Sequence, residues 1–248
     1  MKDADKKEIQ AAFDQATSAL KNLEKVIGNH YLTPFENINI LEFNKIQIPK
    51  NYIRKVAYFI KEYNLIEIVN EHVKRKNICY SLLQSDFHNY LINRIQVYGA
   101  VESLFLKIGI INLVSIIEAL IVCSLSKLHL FCVTWGESSG DYICKKQVKC
   151  GAYINKTNTI SFENAIKLFC SKIAPDNPTL EENLKKLKTI RNNVHISLVL
   201  ESEHSNDDYT IANYNLAVKT LEFFKINQLR LIREFESKQL QDCLMFPF

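Results

Sequence analysis

The chain reads as a mainly α protein with one small, turn-rich β insertion. Three observations carry that expectation. Apolar residues recur at helical intervals of three and four through most of the 248 residues. Glycine and proline are scarce, at 6 and 5, which leaves few punctuated turns of the kind that all-β chains need. The single exception lies between residues 130 and 158, where aromatic and β-branched runs flank a cluster of Gly and Ser.

The first helix is marked by Ile9, Phe13, Ala16, Leu20, Leu23 and Ile27, with Gly28 and Asn29 as stop signals. Pro34 and Pro49 bracket an extended or irregular connection containing Ile38, Ile40, Phe43, Ile46 and Ile48. A second helix is expected from about Asn51 to Lys76, carrying Ile53, Val56, Ala57, Ile60, Val69 and Val73. The aromatics Tyr52, Tyr58, Phe59 and Tyr63 cluster on it and read as core at this spacing rather than as a base-stacking platform. Helices from about Tyr80 to Lys107 and from Gly109 to His129 follow. Residues 1–78 are thus expected to form an N-terminal helical layer, and residues 79–248 a second helical domain that carries the insertion at about 130–158.

Ile108 to Leu125 is nearly long and apolar enough for a membrane span. Asn112 and Glu118 interrupt it, and a carboxylate in mid-span is costly in lipid, so a helix enclosed by protein is expected and no membrane partner. Within the insertion, Leu130 to Trp135, Gly136 to Asp141 and Tyr142 to Cys144 read as strand, turn, strand. His129, Cys132, Cys144 and Cys150 have the chemistry of zinc ligands, but their spacing matches no paired-cysteine pattern, so no metal or other cofactor is expected. Gly136 to Gly140 lacks the Gly-Lys-Ser/Thr ending of a phosphate loop. The charged stretch from Met1 to Glu8 has no signal-peptide character, and the seven cysteines then read as reduced thiols in a cytoplasmic protein.

Downstream, Pro175 and Pro178 precede Thr179-Leu180-Glu181-Glu182, which has the form of a capping box opening a helix. On that helix Leu180, Leu184, Leu187, Val194 and Leu198 share a face, with Glu182, Lys185, Lys186 and Asn193 opposite. The stretch Arg191-Asn192-Asn193-Val194-His195 puts a permanent cation on the apolar face and a titratable imidazole one turn later. Residues at i and i+4 lie only about 40° apart around a helix, so the two side chains would project side by side. A guanidinium aimed at a packing surface needs a counter-charge, an interface or a ligand. The bland alternative is an Arg that snorkels to water beside a neutral, hydrogen-bonded core His.

An Arg, a polar residue and a His close behind on one helix resemble the motif of HEPN domains, all-helical proteins that include prokaryotic ribonucleases, toxins and antiviral effectors. The resemblance spans roughly residues 80 to 240. Residues Asn112 to Leu120 are similar to the family's early helix with its embedded acid, Glu118; Thr159 to Leu168 to the short helix before the motif; and Asp208 to Leu229 to the closing helix, expected from about Ile211 to Leu240. It implies a HEPN-type helical bundle, with the β-hairpin as an insertion. It also implies metal-independent RNA cleavage at a composite site where two motif helices meet in a homodimer. His195 would be the general acid or base, Arg191 the phosphate ligand, Asn192 a polar helper and Glu118 the support.

Such a protein would be a toxin or defence effector, with an antitoxin or regulatory protein as a further partner. A mild net charge of +4 permits RNA contact through Lys185, Lys186, Lys188 and Arg191 without requiring it. Only three residues separate Arg191 from His195, where the family motif has four to six. That spacing keeps a second reading open, in which a catalytically silent helical module of the same type serves dimerisation or regulation. A third is a membrane-associated helical protein built around Ile108 to Leu125. The apolar terminus Cys243 to Phe248 is expected to pack on the domain or on a partner.

Overall fold

The computed structural model describes residues 3–27, 54–97, 99–128, 130, 160–192 and 208–245. All regular structure among them is helical, with eight helices and no strand. The chain divides into two units, Met1–Lys50 and Asn51–Phe248.

The first unit contains α1 (Asp3–Ile27). Its side chains are exposed at every described position except the half-buried Phe13. Gln10 Nε2 donates to Asp14 Oδ1 one turn on, at 3.0 Å. The proline-bracketed connection after it lies outside the described residues.

The second unit starts with α2 (Val56–Glu62) and α3 (Leu65–Ile68), a pair where one continuous helix was expected. Asn64 breaks the run, because it takes the left-handed conformation at φ 49°, which Asn tolerates better than most residues. Val69 then turns extended, and the Arg75 side chain donates to its carbonyl at 2.8 Å. From there α4 (His72–Ile92) runs without interruption, so a boundary between residues 78 and 79 would cut through it. The N-terminal layer expected over residues 1–78 is therefore split, its second half belonging to the larger unit.

The next break also departs from expectation. Helix α5 (Ala100–Lys127) begins after Gly99, whose φ of 59° suits a residue without Cβ, and passes straight through Gly109. Gly109 serves close packing instead. A Cβ there would lie 2.6 Å from the His88 ring and 2.7 Å from Tyr214.

Helix α5 is the axis of the bundle. It is apolar around most of its circumference, with Ile110, Val114, Ile117, Leu120, Ile121 and Leu125 fully buried, as a helix packed on several sides must be. By length and composition it could cross a membrane, but 56% of its most apolar window is buried within the molecule. It packs against α3, α4, α6 (Phe162–Lys172), α7 (Pro178–Asn192) and α8 (Ile211–Met245). Enclosure is incomplete at its start, where Val101, Leu104 and Ile108 remain exposed. One buried polar link ties the axis to α8: Gln228 Nε2 donates to the Leu120 carbonyl at 2.9 Å and to Ser124 Oγ at 2.6 Å.

Three caps position the last helices. Ser161 Oγ accepts from the Asn164 amide at 3.3 Å and opens α6. Thr210 Oγ1 does the same for Asn213 at 3.2 Å and opens α8. Helix α7 is capped by Asn177, not by the expected Thr179 box: Asn177 Oδ1 accepts from the Leu180 amide at 3.0 Å. Pro178 occupies the first helical position, where a missing N–H costs nothing and the fixed φ fits, so the cap moves one residue upstream of the proline.

Apart from Leu130, the expected hairpin lies outside the described residues, as do His129, Cys132, Cys144, Cys150 and the apolar end Phe246–Phe248. Among the described residues no group of three or more His, Cys, Asp or Glu is placed to hold a metal.

Candidate functional site

Helix α7 buries Leu180, Leu184, Leu187 and Ile190 against the bundle, and Arg191 falls between the Leu184 and Leu187 directions by helical projection. The guanidinium therefore enters a packing face, as the sequence pattern implied, and there it meets a carboxylate. Arg191 Nη2 lies 3.0 Å from Glu118 Oε2 on α5. Two residues 73 positions apart in the chain are joined because α7 lies against the middle of α5.

The pair is partly withdrawn from solvent, with Arg191 34% and Glu118 25% exposed. That decides its character. A fully buried pair would be a structural clasp closed to any ligand. Here both side chains keep part of their surface in water, and the guanidinium's planar fork carries five N–H donors. Any anion would still compete with Glu118, since two negative groups on one cation repel each other.

Asn192 is exposed and ends the described part of α7. His195, together with Asn193, Val194 and Leu198, lies outside the described residues, so the side-by-side projection of Arg191 and His195 remains a reading of the sequence.

The lysines near the motif are more occupied than their sequence suggests. Lys185 Nζ pairs with Glu181 at 2.7 Å, and Lys188 Nζ with Glu163 of α6 at 2.9 Å. Glu163 also holds Lys167, at 2.9 Å, and the hydrogen bonds from Lys188 and Lys167 lower its carboxyl to about 2. Bonding to Glu181 raises the Lys185 ammonium above its ordinary value. Of the four cations Lys185, Lys186, Lys188 and Arg191, three are neutralised within the chain.

Sequence reasoning passed over Glu163 and Glu181 as partners. The Glu181–Lys185 and Glu163–Lys167 pairs were legible from their four-residue spacing. The Glu163–Lys188 contact was not, because it depends on how α6 packs against α7.

Comparison with protein-family models, with curated proteins and with solved structures yields no match to this chain.

Proposed function

We propose that the chain is a HEPN-like, metal-independent endoribonuclease of the toxin or antiviral-defence kind, acting in the cytoplasm as a homodimer whose two motif helices form one RNA-cutting site. The observation that supports this reading is the partly exposed Arg191–Glu118 contact, in which a motif-helix cation meets an acid of the early helix. The chemistry needs little more than an acid–base group and a fixed cation. His195 removes the proton from a ribose 2′-hydroxyl, the 2′-oxygen attacks the adjacent phosphorus, and the 5′-oxygen leaves with a returned proton. Arg191 stabilises the charge on the non-bridging oxygens, Glu118 orients Arg191, and Asn192 lies at the rim as a further phosphate or imidazole ligand. An antitoxin or regulatory protein would be the second partner.

A specific observation favours one alternative. Glu118 already engages Arg191, and Lys185 and Lys188 are also paired. With only three residues between Arg191 and His195, the same geometry suits a silent helical module that uses the pair to fasten α7 to α5.

The test is cleavage of mixed cellular RNA in excess EDTA by wild type, His195→Ala, Arg191→Ala and Glu118→Gln, with thermal unfolding run in parallel. The ribonuclease reading expects 2′,3′-cyclic phosphate ends from the wild type alone among the first three, with Glu118→Gln reduced. Folded but equally inert proteins would select the silent module.

A further inference from the structure

Val101, Leu104, Ile108, Ile111, Ser115, Glu118 and Val122 of α5 follow one another at intervals of three and four, and they fall within about 100° of its circumference. The bundle does not close over this stripe. Val101 is 59%, Leu104 38% and Ile108 53% exposed, while Ile111, Ser115, Glu118 and Val122 are half-buried. Leu106, Ile110, Leu113 and Ile117 are buried on the opposite face. Alternation of three and four is the seam of a coiled coil, and it assigns Val101, Ile108, Ser115 and Val122 to the a positions and Leu104, Ile111 and Glu118 to the d positions. The exposed part, Val101, Leu104 and Ile108, places β-branched residues at a and leucine at d, the combination that favours two parallel strands.

The stripe also leads to the candidate site. It runs from the exposed start of α5 to Glu118, about 15 Å beyond Ile108, where Arg191 of α7 lies 3.0 Å from the carboxylate. We propose that this stripe is the surface on which a second copy of the chain docks, α5 beside α5 in parallel about a two-fold axis, with the two Arg191–Glu118 pairs facing each other across the seam. The use of the seam to complete a cutting site rests on the homodimeric ribonuclease reading above; the pairing of the helices rests on the stripe itself.

An identical partner fits because the charges are already answered. The other charged side chains of α5, Glu102, Lys107 and Lys127, lie off the stripe by helical projection, and Lys107 Nζ lies 5.4 Å from the centre of the Tyr209 ring. At Glu118 each copy brings its own Arg191, so the two carboxylates approach as neutralised pairs. Ser115 Oγ donates to the Ile111 carbonyl of its own helix at 2.8 Å and carries no orphan donor into the seam. Polar residues within an otherwise apolar seam fix its register. An antiparallel pairing centred on Leu104 would leave the two Glu118 residues about 42 Å apart, too far to share one site, whereas the parallel pairing sets each residue opposite its equivalent.

The full-length protein would be followed by light scattering and circular dichroism, comparing wild type, Leu104→Glu and Ile108→Glu. Wild type should have twice the 28.7 kDa mass of one chain. Each glutamate replaces an exposed side chain, so the variants should keep the helical spectrum while dimerisation weakens by at least about tenfold. Under mild oxidation Leu104→Cys should give a disulfide-linked dimer, because equivalent d positions meet in a parallel pair, and Glu102→Cys, off the stripe, should give no more than wild type does. The seam is overturned if wild type is monomeric, if both glutamate variants stay dimeric, or if Leu104→Cys links no better than Glu102→Cys. It is also overturned if wild type floats as a monomer with phosphatidylcholine and phosphatidylglycerol vesicles and Leu104→Glu does not, since lipid would then cover the stripe. RNA cleavage in EDTA separates the two readings: an inert wild type whose dimer is broken by the glutamates keeps the seam and removes the ribonuclease, whereas an active wild type with dimeric glutamate variants does the reverse.

Discussion

Arg191 illustrates how one charged side chain on an apolar helix face is resolved. Its helix buries leucine on both sides of it, and the cation is accommodated because Glu118 projects from α5 at the same level. At about one-third exposure such a pair is screened, and its worth is modest. A double-mutant cycle with Glu118→Gln and Arg191→Gln should give a coupling of about 0.5–1 kcal/mol by urea unfolding. A coupling above about 3 kcal/mol would mean that the pair behaves as buried and has a mainly structural role.

At the scale of elements, caps and cross-helix ions define the approach of α6 and α7. Asn177→Ala should lower stability by about 1 kcal/mol, while Thr179→Ala should cost less than about 0.5 kcal/mol. Equal losses in chemical denaturation would return the cap to Thr179. Glu163 bridges α6 to α7 through Lys188, and its carboxyl is depressed to about 2 by its two lysines. A depressed carboxyl contributes stability that is fully present above the ordinary value of 4.5 and is lost as pH falls toward 2. Glu163→Gln should therefore flatten the acid limb of the unfolding profile, and high salt should imitate it because the group is exposed. An acid limb unchanged in the variant would show that the ladder carries no linkage.

Over the whole molecule the charge is small and largely internally balanced. A net +4, with three of the four motif-region cations paired, predicts weak dependence of RNA affinity on salt. The slope of log K against log salt should correspond to about one or two phosphate contacts, measured by fluorescence anisotropy with single-stranded RNA. A slope equivalent to six or more, at about −0.7 per single-strand contact, would require the lysine pairs to open on binding.

How much was legible follows from the range of the interactions concerned. The helical class, the closing helix from Ile211 and the placement of Arg191 on an apolar face were readable along the chain, because helical periodicity acts over a few residues; the short helix expected at Thr159–Leu168 came from the family resemblance, and a helix lies at Phe162–Lys172. Glu118 was singled out through the family resemblance, as a supporting acid on the early helix, and it is the residue that Arg191 pairs with. Local rules misjudged Gly109 and Asn64. Gly109 looked like a helix break and is instead the slot for His88 and Tyr214, whereas Asn64 looked helical and carries the turn. His88 drew no notice, since a lone histidine on a helix has meaning only when its neighbours are known. The sequence by itself determined the helical class and that Arg191 needed a partner; the tertiary structure decided where the helices break and, by packing α4, α7 and α8 around α5, which residues meet, because such contacts join residues tens of positions apart that no local pattern connects.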